Sequence, residues 1–262
     1  MPAEIDDAEA DVPAPKKTFA QEVVETVKTV VYALLIAFVL RVVLFEPFTI
    51  PSASMQPGLL VGDYIVATKW NYGWSKHSIP FSPPLFNGRV LDFAGAPQRG
   101  DVVVFKLPRD PRQTYVKRLI GLPGDRVQVV AGVIMVNGKA IPRTPAGDAL
   151  DPDSGGTVAQ FRETRPDGQP YMTFDQGPDS ERDNTVVHVV PEDHYFMMGD
   201  NRDNSLDSRW TPAENGVGYV PAENLIGKVR IVLVAWKGGA SIFNPIEWVM
   251  KFDPHRIAKP VR

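Results

Sequence analysis

The chain contains no cysteine. That excludes a disulfide framework, a thiol nucleophile and a thiolate metal site, and leaves the fold indifferent to redox compartment. Net charge is also small, −3 at pH 7 over 262 residues, which gives no basis for a nucleic-acid partner. Histidine is scarce: His77, His188, His194 and His255 are the only four, and none stands in a recognisable triad context. There is no Gly-x-Ser-x-Gly elbow, no His-Glu-x-x-His and no cluster with metal-ligand spacing. The Ser-x-x-Lys and Lys-Thr-Gly signatures of penicillin-binding enzymes are missing too. The chain is therefore expected to use no metal and no cofactor. Long helical patterning is lacking after residue 46, and the 25 prolines and 21 glycines point to turns and β-structure rather than a helical bundle.

What is present begins with an apolar run. Thr29 to Phe45 spans 17 residues, roughly 25 Å as a helix, slightly short of a hydrocarbon core. Arg41 near its far end and Lys28 on its near side can reach the headgroups. The run is apolar on every face, unlike a core helix, and Glu46-Pro47 is expected to stop it. No Ala-x-Ala follows, so the segment reads as an uncleaved anchor rather than a signal peptide. Lys16, Lys17 and Lys28 precede it and only Arg41 marks its exit. This bias puts the N-terminus in the cytoplasm and most of the chain outside.

The expected organisation is a disordered acidic tail over residues 1–17, an anchor helix over 18–46, and an extracytoplasmic catalytic domain over 47–262. The fold class is mainly β: a membrane-anchor helix followed by a folded antiparallel β-sheet or barrel with an inserted β-rich subdomain at about 126–191. Strand-like runs include 63–68, 101–105, 115–120, 126–130 and 133–136, the last ending at Asn137-Gly138, a strong hairpin signal. Further runs lie at 195–198 and 228–234. Residues 142–184 are polar, rich in Pro, Gly and Asp, and suggest long loops. Ser241–Phe252 carries Ile242, Phe243, Ile246, Trp248, Val249, Met250 and Phe252, which suits either a covering helix or a patch at a membrane interface.

Ser54 stands about ten residues past the apolar run, in Ile50-Pro51-Ser52-Ala53-Ser54-Met55-Gln56-Pro57-Gly58. A nucleophile tethered there acts on something at the bilayer surface. Serine needs a base. Lys117 lies in the apolar run Tyr115–Ile120, where burial would lower its pKa towards neutrality. Periodicity alone favours a solvent-facing Lys117 and does not separate it from other lysines. Asp200, Asp203 and Asp207 form an acidic cluster without the glycine or terminal glutamate of an EF-hand loop, as expected of a turn or salt-bridge knot.

Four blocks in order resemble the bacterial type I signal peptidases, membrane-bound Ser/Lys serine proteases. They are Pro51–Pro57; Gly62–Val66 with Lys69 and Tyr72-Gly73; Arg99–Phe105 with Tyr115–Asp125; and Gly199–Arg209. The resemblance implies roles at matching positions. Ser54 is the nucleophile and Lys117 the general base. The Ser52 hydroxyl and the Ser54 backbone N–H form the oxyanion hole. Ser205 hydrogen-bonds and orients the lysine, and Asp207 and Arg209 form a bracing ion pair. Ile50, Pro51, Met55, Leu59 and Val116 flank the dyad as candidate walls for shallow pockets that take small residues at −1 and −3. Plain core packing is the alternative for these five.

The implied partners are signal peptides of exported preproteins and the phospholipid membrane. The implied location is the cytoplasmic (inner) membrane, single-pass, with the catalytic domain on the outer, periplasmic side. Some relatives have two spans or a disulfide in the insertion; this chain has one apolar run and no cysteine. Two other readings share some features. A self-cleaving Ser/Lys repressor would need a basic helix-turn-helix, which is missing. A non-catalytic tethered scaffold would have no need of the Ser54, Lys117, Ser52 and Ser205 set.

Overall fold

The computed structural model describes residues 18–90, 95–177, 180–241 and 244–261. The tail expected over 1–17, together with Ile242 and Phe243 of the aromatic segment, lies outside the described residues. Two units are present, one ending at Leu40 and one spanning Arg41–Arg262.

The first is a single helix, α1 (Phe19–Val43), 25 residues long. It is longer than the apolar run alone, about 37 Å at 1.5 Å per residue, and none of its side chains is buried. An apolar helix with no buried face is the form expected of a membrane anchor. It ends at Val43, not at Glu46-Pro47. The Val43 carbonyl accepts from the Trp74 indole at 3.0 Å and the Leu44 carbonyl from Lys69 N–H at 2.9 Å, so two carbonyls at the helix end find partners as the chain turns extended. Pro47 then falls inside a strand, which is tolerated because that strand lies at a sheet edge.

The second unit is built on an eight-stranded antiparallel sheet. Its strands are β1 (Phe45–Thr49), β2 (Asp63–Thr68), β3 (Val102–Leu107), β4 (Asp110–Gly121), β5 (His194–Met198), β6 (Val220–Pro221), β7 (Leu225–Ala235) and β8 (Lys259–Pro260). Their spatial order is β1-β2-β7-β3-β4-β5-β6, with β8 also paired to β7. The mean sequence pattern of β3, Val-Val-Val-Phe-Lys-Leu, has no polar face, because both faces are covered. Val102 and Val104 join Ile50, Met55, Leu59, Ile65 and Val229 in one core cluster, and Val103, Phe105 and Leu107 join Leu119 and Met197 in another. The period of two along one strand thus feeds two cores. A third cluster holds Ile120, Val127, Val129, Ile134, Phe196 and Met198.

Between β4 and β5 the chain forms smaller sheets. Val127–Val130 pairs with Val133–Val136 in the hairpin that precedes Asn137-Gly138. The polar stretch read as long loops is instead a three-stranded antiparallel sheet, Arg143–Leu150, Thr157–Thr164 and Pro170–Asp175. Its first strand is almost wholly exposed, so it lacks the apolar alternation by which a strand is recognised. The C-terminal segment forms one short helix, Pro245–Met250, with Ile246, Trp248, Val249 and Met250 exposed.

Candidate active site

Ser54 sits on a 3₁₀ turn, Ala53–Met55, entered from extended Ser52. Ala53 and Met55 are buried, which turns the intervening Ser54 side chain outward. The turn is held from behind: Asn201 N–H donates to the Ser54 carbonyl at 3.1 Å, and Asn201 Nδ2 to the Ala53 carbonyl at 3.3 Å.

Lys117 arrives on β4, paired in register with Val103. Its side chain is buried, 3% exposed, contrary to the solvent-facing orientation that periodicity favours. Nζ hydrogen-bonds Ser54 Oγ. Burial is the main influence on the amine; Asp207 and Asp200 pull its pKa back up and Arg209 pushes it down, leaving it lowered to about 8. Neither carboxylate contacts the lysine as an ion pair, because each is already engaged. Asp200 takes Arg118 Nε at 2.7 Å and Nη2 at 2.6 Å. Asp207 takes Arg209 Nε at 2.9 Å and Nη2 at 2.9 Å, and accepts Gly199 N–H at 3.0 Å. Burial pushes the Asp207 carboxyl up, but the Arg209 guanidinium and the Gly199 N–H outweigh it and hold it below the ordinary value. The third acid, Asp203, accepts Gln176 N–H at 2.6 Å. The acidic cluster is therefore three separate anchors of one loop.

Ser205 is buried beside the dyad, and its Oγ has no partner among the described residues, so the expected bond to the lysine is not made in this resting arrangement. Gly199 is wedged behind both serines: a Cβ there would overlap Ser205 Oγ and lie 2.5 Å from the Ser54 carbonyl oxygen.

The dyad opens into a cleft of about 520 Å³. Ile50, Pro51, Ser52, Met55, Val116 and Ser205 all line it. Leu59 does not. Its N–H returns to the Met55 carbonyl at 2.9 Å, and its side chain, 1% exposed, joins Ile50 and Met55 in the core. Phe48, Thr114, Tyr115, Leu206 and Trp210 also line the cleft and were not singled out from sequence. Tyr115 could have been found by stepping two residues back from Lys117 along β4. Leu206 and Trp210 were adjacent to named loop residues but carried no pattern of their own.

Comparison with known proteins adds an independent line. A family model described as signal peptidase, peptidase S26, matches residues 23–236. The signal peptidase I of Rickettsia canadensis is 42% identical over 258 residues, covering 92% of this chain and 93% of its own. That of Rickettsia typhi is 41% identical over 245 residues, covering 87% and 90%. A crystal structure of a signal peptidase I from Enterococcus faecalis V583 aligns with 50% of this chain and 95% of its own, at 29% identity and a TM-score of 0.30.

Proposed function

The chain belongs to the signal peptidase family, peptidase S26, and we propose that it works with Ser54 as nucleophile and Lys117 as general base. Its activity is that of signal peptidase I, a serine endopeptidase that removes signal peptides from secreted preproteins. The observation that carries the residue assignment is the buried Lys117 amine, hydrogen-bonded to Ser54 Oγ and, among the described residues, without a carboxylate in ion-pair contact. With a pKa near 8, a substantial fraction of the amine is neutral at mildly alkaline pH and can take the hydroxyl proton.

Ser54 Oγ then attacks the scissile carbonyl, and the oxyanion faces the Ser52 hydroxyl and the Ser54 N–H. Protonated Lys117 gives its proton to the departing amine, leaving an acyl-enzyme that water, deprotonated by the same lysine, hydrolyses. The unpartnered Ser205 hydroxyl is the group available to the lysine when it becomes charged. Asp207 and Arg209 brace the loop that carries it.

The substrate lies extended along β4. Strand β5 pairs with β4 only from Arg118 onward, so among the described residues Thr114–Lys117 has β3 on one side and no paired strand on the other, which suits β-strand addition. Small side chains at −1 and −3 meet Ile50, Pro51, Met55 and Val116, while Leu59 supports that wall from the core. Residues 47–262 form the catalytic domain with its insertion at about 126–191. Helix α1 is the single span in the cytoplasmic membrane, N-terminus cytoplasmic, with the catalytic domain on the outer face beside the phospholipid.

The test is cleavage in vitro of a preprotein whose signal ends in Ala-x-Ala, with Ser54→Ala and Lys117→Ala beside the wild type. Both variants are expected to fold and lose nearly all cleavage, whereas variants of the four histidines keep substantial activity. A histidine variant as inactive as Ser54→Ala would show that the base is misassigned.

A further inference from the structure

The loop that carries Ser54 is closed at its base. Ile50 N–H donates to the Asp63 carbonyl at 2.9 Å and Gly62 N–H to the Ile50 carbonyl at 2.9 Å. Residues 50–63 therefore leave and rejoin the sheet at one point, with the Ser54 turn at the far side. The Asp63 carboxylate, fully buried, caps this base from within by accepting Leu60 N–H at 2.8 Å.

A second element reaches the same point from the other end of the chain. Arg256 is buried, 7% exposed. Its Nε donates to Asp63 Oδ1 at 2.7 Å, its Nη2 to Asp63 Oδ2, and the same Nη2 to the Gly58 carbonyl at 3.1 Å. One guanidinium thus joins the closing residue of the loop to a backbone carbonyl four positions beyond Ser54. The segment holding Arg256 is itself fixed along β7. Asp253 N–H donates to the Ala235 carbonyl at 3.0 Å, and Val261 N–H to the Arg230 carbonyl at 3.0 Å. Between them β8 pairs with Ile231 and Val232. Asp253 also caps the turn Pro254–Arg256 by accepting His255 N–H at 3.1 Å. The tail is anchored on both sides of Arg256, so the guanidinium is a fixed point and not a flexible visitor. Arg256 lies beyond residue 236, where the family match ends.

We propose that Arg256 is a positioning residue for the peptidase reaction: through Asp63 and the Gly58 carbonyl it clamps the loop 50–63 and sets where Ser54 stands relative to Lys117. The inference rests on Ser54 being the nucleophile. A planar guanidinium satisfies two carboxylate oxygens and a carbonyl at once, which an ammonium cannot do in the same place. Displacing a reacting group by about 1 Å costs on the order of 100-fold in rate, so a loosened clamp reports in turnover.

The test uses the full chain with a preprotein substrate, with rates normalised to folded protein by far-UV circular dichroism. Arg256→Met is expected to lower kcat by roughly 10- to 100-fold with KM little changed. Arg256→Lys should fall between, because it keeps the charge and loses one of the contacts. Asp63→Asn combined with Arg256→Met should be no worse than Arg256→Met alone, since both act through one joint. Wild-type kcat per folded molecule in Arg256→Met, whether its melting temperature or only its KM has changed, overturns the proposal. If Arg256→Met does not fold, Arg256→Lys decides the matter, and wild-type kcat there overturns it equally. Ser54→Ala run in parallel separates the two ideas: cleavage surviving in that variant topples the nucleophile assignment, whereas its loss beside an unaffected Arg256→Met removes only the clamp.

Discussion

Lys117 and Lys69 are both buried, at 3% and 0% exposure, and burial is the largest influence on both, lowering each pKa. They differ in what surrounds the ammonium. Lys69 Nζ lies 2.9 Å from Glu46 Oε2 and donates to the Ser78 carbonyl at 2.5 Å; Glu46 pulls its pKa back up, while nearby Arg41 pushes it down. Lys117 meets a hydroxyl, and the two carboxylates that act on it from a distance are each bound to an arginine. A contacting carboxylate makes a buried lysine a bracket. Carboxylates withheld by other partners leave it able to give up its proton.

The comparison can be tested from either side. The largest effect expected is from Lys117→Met: cleavage should fall by ~10³-fold or more, measured as kcat/KM on a preprotein. The same variant sharpens the contrast in stability. Folded Lys117 titrates near 8 against 10.5 ordinarily. Above pH 8 the native state loses a proton that the unfolded chain keeps, so wild-type stability rises between about pH 8 and 10. The full rise is on the order of 3 kcal/mol, and denaturant melts of Lys117→Met should lack it. Next in size is Lys69→Met. Removing one partner of a buried pair costs about 3–5 kcal/mol, so its urea midpoint should drop while kcat per folded molecule stays near wild type. A loss of turnover as deep as that of Lys117→Met would erase the distinction. The smallest effect is the pH profile: kcat/KM should rise with pH towards a plateau above 8, and be lower by about 100-fold at pH 6. A plateau already reached at pH 6 would mean that the base has a different identity.

Much of this arrangement was legible before the fold was known, and unevenly so. The Ser-Met-x-Pro and Lys-Arg blocks single out Ser54 and Lys117 through resemblance, and the fold brings these two side chains into hydrogen-bonding contact although they lie 63 residues apart. Alternation along Tyr115–Ile120 did not place Lys117 inside, because a strand covered on both faces has no polar side to reveal its phase. Leu59 takes the core-packing alternative and not the cleft wall, for a related reason: sequence proximity to Ser54 does not say which way a tight turn aims the next side chain. Glu46-Pro47 reads as a helix stop in sequence, yet α1 ends earlier, at Val43, beside the Trp74 and Lys69 hydrogen bonds, and the proline fits an edge strand. Arg256 carried no local signal at all. Its importance depends on the C-terminal segment folding back along β7, a tertiary event invisible to a window of neighbouring residues.

The strand Pro170–Asp175 offers a last lesson. Phe174 N–H donates to the Asp200 carbonyl at 2.9 Å and the Phe174 carbonyl accepts Arg202 N–H at 2.8 Å, while Asn201 between them holds the Ser54 carbonyl. The polar insertion is therefore mechanically in series with the proposed nucleophile, Ser54. Chimaeras that exchange this module between homologous peptidases must import a strand presenting the same two backbone groups, or the Asp200 carbonyl and the Arg202 N–H of the 199–209 loop are stranded without a mate.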